Sequence, residues 1–88
     1  MSTVDKKNLK TQAHQLNPVV IIGQAGLTEA VIREINLALD AHELIKVRIR
    51  ADREDRVEIK NRICIETQAE LIQAIGQIVV LFRKNPKK

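Results

Sequence analysis

Aromatic side chains are almost absent from this sequence, in which Phe82 is the one aromatic residue among 88 and neither tryptophan nor tyrosine occurs. Modules that read single-stranded nucleic acid by stacking its bases need several exposed aromatic rings. The composition therefore argues against a binding mode that depends on aromatic stacking, and base selectivity is expected to be low.

Cysteine and long apolar runs are also scarce. Cys64 is the single cysteine, so it has no internal disulfide partner, as is usual in a reducing cytoplasm. No apolar run approaches the roughly 18 residues of a membrane span, and residues 1–10 lack the apolar centre of a secretory signal. From these absences we expect a cytoplasmic protein that does not associate with membranes.

Residues suited to catalysis or metal binding are few and unfavourably spaced. The separations of His14, His42 and Cys64 match no metal-ligand pattern, and no nucleophile stands with a base and an orienting partner. We expect no catalytic residue, no metal, no cofactor and no small-molecule substrate. Cys64 falls at a helical core position, where it is expected to be an inert packing residue.

What the chain does have is an excess of positive charge, +4 at neutral pH, placed towards its two ends. Residues 1–26 contain three lysines and one acid, and residues 83–88 contain four basic side chains and no acid. Residues 27–82 contain eight basic and ten acidic side chains. This distribution favours a polyanionic partner through counterion release and steering, although a soluble surface with basic tails would look the same.

Hydrophobic periodicity predicts one domain over residues 1–84 with the order α-β-α-β-α-β-β, followed by a basic flexible tail at 85–88. The predicted class is α/β in the broad sense, a two-layer α+β fold with a four-stranded mixed sheet. The predicted helices cover 5–16, the segment after Thr28, and 52–66. The predicted strands cover 19–22, 44–50, 69–74 and 78–82, with Gly76 supplying the turn of a final hairpin.

Two local expectations accompany this order. The run at 19–22 is β-branched throughout, which predicts a strand covered on both faces. Val57 and Ile65 fit the apolar stripe of the third helix poorly and are expected to be partly exposed.

Two glycines, Gly23 and Gly26, stand between the first predicted strand and the second predicted helix. They lack the third glycine of a dinucleotide fingerprint and the lysine of a P-loop. The segment is either a plain turn or a loop whose backbone amides approach the phosphates of a larger polyanion. Thr28 is a suitable N-cap, so the positive end of the following helix would face the same place.

Lys46, Arg48 and Arg50 alternate with apolar residues in the segment 44–50, which places them on one face of a strand. Successive members are about 7 Å apart, near the spacing of phosphates along one nucleic-acid strand. The sequence favours phosphate binding by this face, while a strand surface kept soluble and resistant to aggregation is the alternative.

The stretch GQAGLTEAVIREINLALDAHELIKVRI closely resembles the CRM domain, the RNA-binding module of chloroplast splicing and ribosome-maturation factors. The bacterial single-domain members of that family are the YhbY-type proteins. The segment HELIKV at 42–47 is the specific part of the resemblance, and IGQIVVLFR at 75–83 is similar to the family's ending. The resemblance covers roughly residues 5–84.

This resemblance implies a fold like the C-terminal domain of bacterial translation initiation factor three. It also implies binding to RNA, for the bacterial members to precursors of the large ribosomal subunit, with the G-x-x-G loop clamping backbone as in KH domains. By position the implicated residues are Gly23, Gln24, Ala25, Gly26 and Lys46. Two departures from the family are the absence of a cation within the loop and a glutamine, Gln68, where glycine is usual.

Together these patterns predict a non-enzymatic, monomeric RNA-binding protein that acts on ribosomal precursor RNA during large-subunit assembly. The alternative is a protein-interaction module that docks on a ribosomal protein, and an enzyme is the least favoured hypothesis. The residues predicted to bind RNA are Lys6, Lys7, Lys10, Gly23, Gln24, Ala25, Gly26, Thr28, Lys46, Arg48, Arg50, Arg83 and Lys84.

Overall fold

The computed structural model of the chain describes residues 6–23 and 25–84. Its seven elements follow the predicted order, which confirms the α+β class and the four-stranded mixed sheet. Asp5, the predicted first residue of the first helix, and the predicted tail at 85–88 lie outside the described residues. The elements are α1 (Lys6–Ala13), β1 (Pro18–Ile22), α2 (Glu29–His42), β2 (Leu44–Ile49), α3 (Arg53–Thr67), β3 (Glu70–Ile75) and β4 (Ile78–Phe82).

The sheet has the strand order β1-β2-β4-β3. Strand β1 is parallel to β2, whereas β4 lies between β2 and β3 and is antiparallel to both. Gly76 adopts a φ of 55° in the turn that joins β3 to β4, which confirms the predicted hairpin. Because β1 and β2 run in the same direction, the glycine loop after β1 and the residues after β2 meet at one edge of the sheet.

The main core lies between one face of the sheet and helices α2 and α3. Ile35, Leu39 and Ile63 are fully buried there against inward-facing strand residues such as Val47 and Leu81. Full burial of each such side chain contributes about 1.5–3 kcal/mol. This core fixes which face of every strand points away from α2 and α3.

A smaller core lies on the opposite face of the sheet, beneath α1. Ala13 is buried there with Leu44, Ile72 and Val80, and Leu9 packs against them. Helix α1 lies mainly against β2 and β3. The two layers formed by the sheet with α2 and α3 therefore have a partial third layer, which leaves much of the second sheet face open.

Strand β1 is not covered on both faces, so that prediction was wrong. Val20 and Ile22 are buried in the main core, whereas Val19 is 51% exposed and Ile21 is 59% exposed. A run of β-branched residues looks the same in sequence whether one face or both are covered. Here the short α1 does not extend over the outer face of β1.

Both long helices begin at side-chain caps. The Thr28 hydroxyl accepts a hydrogen bond from the Val31 N–H at 3.2 Å, and an Asp52 carboxylate oxygen accepts one from the Asp55 N–H at 3.0 Å. Helix α3 ends at Gln68, whose φ of 60° is left-handed, a conformation that costs a non-glycine residue about 1–2 kcal/mol.

Two sequence expectations on α3 are also settled by the structure. Val57 is 46% exposed and Ile65 is 76% exposed, as predicted. Both point away from the side of α3 that buries Ile63.

Candidate nucleic-acid interface

The glycine loop connects β1 to α2 at the edge of the sheet. The Gly26 N–H donates to the Gly23 carbonyl at 3.0 Å, and Gly26 has a φ of 74°. Gly26 is thus required by the turn itself, since side chains other than glycine rarely adopt that conformation. Ala25 is exposed, and Gln24 lies outside the described residues.

Gly23 has no comparable internal reason to be glycine. A Cβ atom built on it would meet no heavy atom within 4 Å, and its φ lies outside the left-handed region. The residue is exposed, so the surface here has an open stretch of backbone. Such a stretch allows another molecule to approach the main chain more closely than a side chain would permit.

Arg50 lies beside this open stretch. Its backbone N–H donates to the Ile22 carbonyl at 2.9 Å, which extends the pairing of β1 and β2 as far as the loop. Its exposed side chain lines a hollow together with Gly23, Ala51 and Gln77. Parallel pairing of two strands therefore brings a cation next to the bare backbone of the loop.

The other side of the loop, towards α3, is acidic. A second hollow adjoins Gly26 and Arg50, and Asp55 and Glu58 contribute to its lining. The pKa of Asp55 is raised, chiefly by the negative charge of Asp52. Arg50 lines both hollows, so anions are less favoured in the one that contains Asp55 and Glu58 than in the one beside Gln77, where no carboxylate contributes to the lining.

Lys46 and Arg48 lie on the sheet face opposite the main core. Arg48 is exposed, and its Nε donates to the Gln77 side-chain oxygen at 3.3 Å. Lys46 is half-buried, and its Nζ donates to the Leu16 carbonyl at 3.1 Å. Both cations are thus held in place by neutral oxygens, and their charge is not neutralised by these partners.

Helix α1 adds lysines to the same side of the molecule. Lys6, Lys7 and Lys10 are exposed, and the helix has no acidic residue. Lys10 and Lys46 line one cavity between α1 and the sheet. We call the continuous surface formed by Lys10, Lys46, Arg48, Arg50 and the glycine loop the basic track.

Arg83 is engaged elsewhere. Its guanidinium donates to the Asn36 side-chain oxygen at 2.7 Å, to the Asn36 carbonyl at 3.2 Å and to the Thr67 carbonyl at 2.7 Å. It also forms a 2.7 Å salt bridge with Asp40, and its own side chain is 22% exposed. This arrangement ties the end of β4 to the C-terminal halves of α2 and α3.

Arg83 is not part of the basic track, because its donors are already directed at internal acceptors. Lys84 is exposed beyond it. The cations of the predicted tail at 85–88 lie outside the described residues. Sequence position alone placed Arg83 among the residues predicted to bind RNA, and only the tertiary contacts show which groups its donors bind.

A second basic hollow, on α3, was not predicted from the sequence. Arg53, Arg56 and Lys60 of α3 line it together with Gly76 of the hairpin turn. Their spacing of three and four residues places them on one side of a helix, which is a detectable signal. It was obscured because acidic residues alternate with them in the sequence.

The other polar candidates show no catalytic arrangement. Cys64 packs against the main core, and burial raises the pKa of its thiol, which makes it a poor nucleophile. Among residues 6–23 and 25–84, no group of three histidine, cysteine or acidic side chains could hold a metal ion. In the same part of the chain, no helix has both the length and the apolar character needed to span a membrane.

Comparison with known proteins places this geometry in a family. The sequence matches the CRS1/YhbY (CRM) domain over residues 1–83. The chain belongs to the CRM domain family.

Relatives of this CRM domain carry names that refer to RNA. The domain is 54% identical over 86 residues to a Haemophilus influenzae protein named "RNA-binding protein", and the match covers 97% of this chain and 87% of that protein. It is 43% identical over 83 residues to the Pseudomonas aeruginosa "Probable RNA-binding protein PA4753", covering 93% and 80%.

A solved structure shows the same fold. The solution structure of a Staphylococcus aureus hypothetical protein, described as a candidate RNA-binding protein, superposes with a TM-score of 0.79 at 33% identity. The match covers 91% of this CRM domain and 84% of the Staphylococcus chain. The similarity therefore extends over nearly the whole fold.

Proposed function

We propose that this CRM domain is a non-enzymatic RNA-binding protein that holds the sugar–phosphate backbone along the basic track. Membership of the family and the names of the relatives support RNA as the partner. The cations of the track support contact with phosphates, because neutralising each phosphate releases condensed counterions. We also propose that the protein is monomeric and lies in the cytoplasm.

The observation that carries the proposal is the open backbone at Gly23. Nothing within the fold requires a glycine at this position. A phosphate that approaches the loop amides, in contrast, requires that no side chain stand in its way. The cap at Thr28 directs the N-terminus of α2 to the same place, and backbone N–H groups at a helix start favour anions. Glu29 in the first turn of α2 weakens that field, so Arg50 is assigned the larger electrostatic contribution.

The acidic residues define the direction that the RNA takes from the loop. Asp55 and Glu58 disfavour a path over the part of α3 that adjoins the loop. A path over the sheet meets Arg50, Arg48 and Lys46 in turn and then reaches Lys10 on α1. We therefore assign the RNA to the side of the sheet that carries α1.

Substitution of Gly23 tests the loop. Aspartate at this position places a negative charge where phosphate is proposed, while asparagine has the same shape without the charge. We expect Gly23→Asp to weaken RNA binding about tenfold and Gly23→Asn to weaken it far less, since unit charges 4 Å apart repel by about 1 kcal/mol even in bulk water. Fluorescence anisotropy with a labelled RNA measures both.

Both Gly23 variants should unfold at the same denaturant concentration as the parent protein, because the site has open space. Equal affinities of Gly23→Asp and the parent protein would return the loop to the status of a plain turn.

The proposed target is precursor RNA of the large ribosomal subunit, as the resemblance of HELIKV and the glycine loop to the YhbY-type proteins implies. Crosslinking the protein to RNA in cell extract, followed by sequencing of the attached fragments, should give fragments enriched in unprocessed large-subunit RNA. Enrichment of other RNAs would show that the protein has a different target. Recovery of the protein crosslinked to another protein, without RNA, would favour docking on a ribosomal protein.

A further inference from the structure

We propose that the open sheet face beside the basic track receives an unstacked nucleobase, so that the domain selects an unpaired segment of RNA. This inference rests on the proposed function and specifies the part of an RNA that the surface fits. It begins from a row of side chains on the exposed face.

The row crosses all four strands. Ile21 is paired with Arg48, Arg48 with Ile78, and Ile78 with Ile75. Ile21 is 59% exposed and Ile75 is 63% exposed. Neighbouring strands are about 4.8 Å apart, so the row is roughly 14 Å long. Ile21 and Ile75 contribute little to either core, so the row presents aliphatic surface to solvent on both sides of Arg48.

A cavity of about 210 Å³ adjoins the row, between α1 and strands β3 and β4. Ile75, Ile78 and Val80 form its apolar part, and Lys10, Lys46 and the amide of Gln73 add polar groups. The volume is below the roughly 300–1,000 Å³ of drug-sized ligand sites and suits a single planar heterocycle. No carboxylate lines the cavity.

The combination favours RNA over the other occupants. An apolar peptide would gain nothing from the surrounding cations, and a bare polyanion would gain nothing from the isoleucines. A nucleotide carries a base with flat apolar faces and an anionic phosphate on the same sugar, so it can contact both features. The base would lie against Ile75 and Ile78, with Gln73 able to donate to or accept from its edge, while Arg48 and Lys46 meet the adjoining phosphates.

A duplex does not fit this description, because its bases are paired and stacked within the helix. Single-stranded loops and bulges have bases that can be turned outward. The scarcity of aromatic residues still limits the strength of each base contact, since His14 is the one ring in the lining of the cavity and the apolar part of that lining is aliphatic. The expected selectivity is for unpaired over paired RNA and not for one base over another.

Two variants and two RNA strands test the inference. The strands are a single-stranded decamer and the same decamer with abasic sugars at its central positions, which removes bases and retains phosphates. Ile75→Ala should weaken binding of the intact decamer about fivefold, at the low end for base contacts, and leave binding of the abasic strand unchanged. Ile65→Ala, on α3, removes a similarly exposed isoleucine from the opposite side of the domain and should change neither.

The outcomes separate this inference from the proposed function. Equal affinity of the parent protein for the two decamers, with no effect of Ile75→Ala, overturns the base site while leaving backbone binding intact. Absence of salt-sensitive binding to either strand overturns the proposed function itself. A polyglutamate peptide of the same charge should compete only for the cations. If it displaced the intact decamer as effectively as a second copy of the decamer does, the surface would be a general anion site, and that too overturns the base site.

Discussion

Replacing Arg83 by methionine should lower the free energy of unfolding by about 2–4 kcal/mol, the largest stability effect expected from any charged residue of this domain. Methionine replaces the aliphatic stem of the side chain but removes all four interactions of the guanidinium with Asn36, Asp40 and Thr67. Hydrogen bonds to charged groups contribute about 1.5–3 kcal/mol each. The sum is reduced because water reaches part of the site, in which the Asp40 side chain is 65% exposed.

The geometry of its donors explains why lysine cannot replace Arg83 fully. The guanidinium binds the Asn36 carbonyl in the middle of α2 and, at once, the Thr67 carbonyl at the last residue of α3, where the helix dipole favours positive charge. A lysine at this position keeps the charge but loses the planar fork of donors, so Arg83→Lys should recover about half of the lost stability.

Urea unfolding measures the Arg83 effect. Lys84→Met is the matched control, since it removes the neighbouring exposed cation, and its unfolding free energy should stay within about 0.5 kcal/mol of the parent value. At a temperature where both variants are folded, Arg83→Met should bind RNA as the parent protein does. A parent-like urea midpoint for Arg83→Met would show that the network contributes little.

The order of elements was predictable because local patterns determine it. Alternation in 44–50 predicted β2, and the Thr28 cap predicted where α2 begins. These signals lie within a few residues of the feature that they specify. The strand order β1-β2-β4-β3 was not predictable, since it depends on which strands meet after the chain has crossed the sheet.

The candidate site was predictable in type and only partly in extent. The glycine loop and the three cations of 44–50 could be named from the sequence, because each is a local pattern. The separation of Arg83 from the basic tail, the exposure of Ile21 and the cavity beneath α1 all depend on long-range contacts. In particular, the length of α1 determines how much of the second sheet face stays open. The sequence of β1 contains no information about that length.

The charge distribution acquires a direction only in three dimensions. The sequence has acidic and basic residues intermixed from 27 to 82, with a small excess of acids. In the fold, Asp55 and Glu58 stand on the α3 side of the glycine loop, while Arg48 and Lys46 lie on the opposite face of the sheet. A protein with a modest net charge thus presents a cationic surface beside the glycine loop, in addition to the basic hollow on α3, and such a surface can orient a polyanion.

Removing two cations from the basic track should produce the largest functional effect. Conversion of Arg48 and Arg50 to glutamine should reduce the slope of log affinity against log salt by about 1.4–1.8, since each phosphate contact contributes about 0.7–0.9. If the variant and parent affinities converge near 1 M salt, that change in slope corresponds to a loss of roughly 25- to 60-fold at 0.1 M. The fold should survive, because both side chains are exposed.

A control with the same net charge distinguishes a local site from a general electrostatic effect. Arg33→Gln combined with Arg62→Gln removes two exposed cations from α2 and α3, away from the sheet face that carries α1. Its slope should change by less than half as much, because its cations are not assigned to phosphates. Titrations of one RNA at four salt concentrations give all three slopes. Equal slopes for the two double variants would mean that binding responds only to net charge, and the basic track would then lose its assignment as the site of contact.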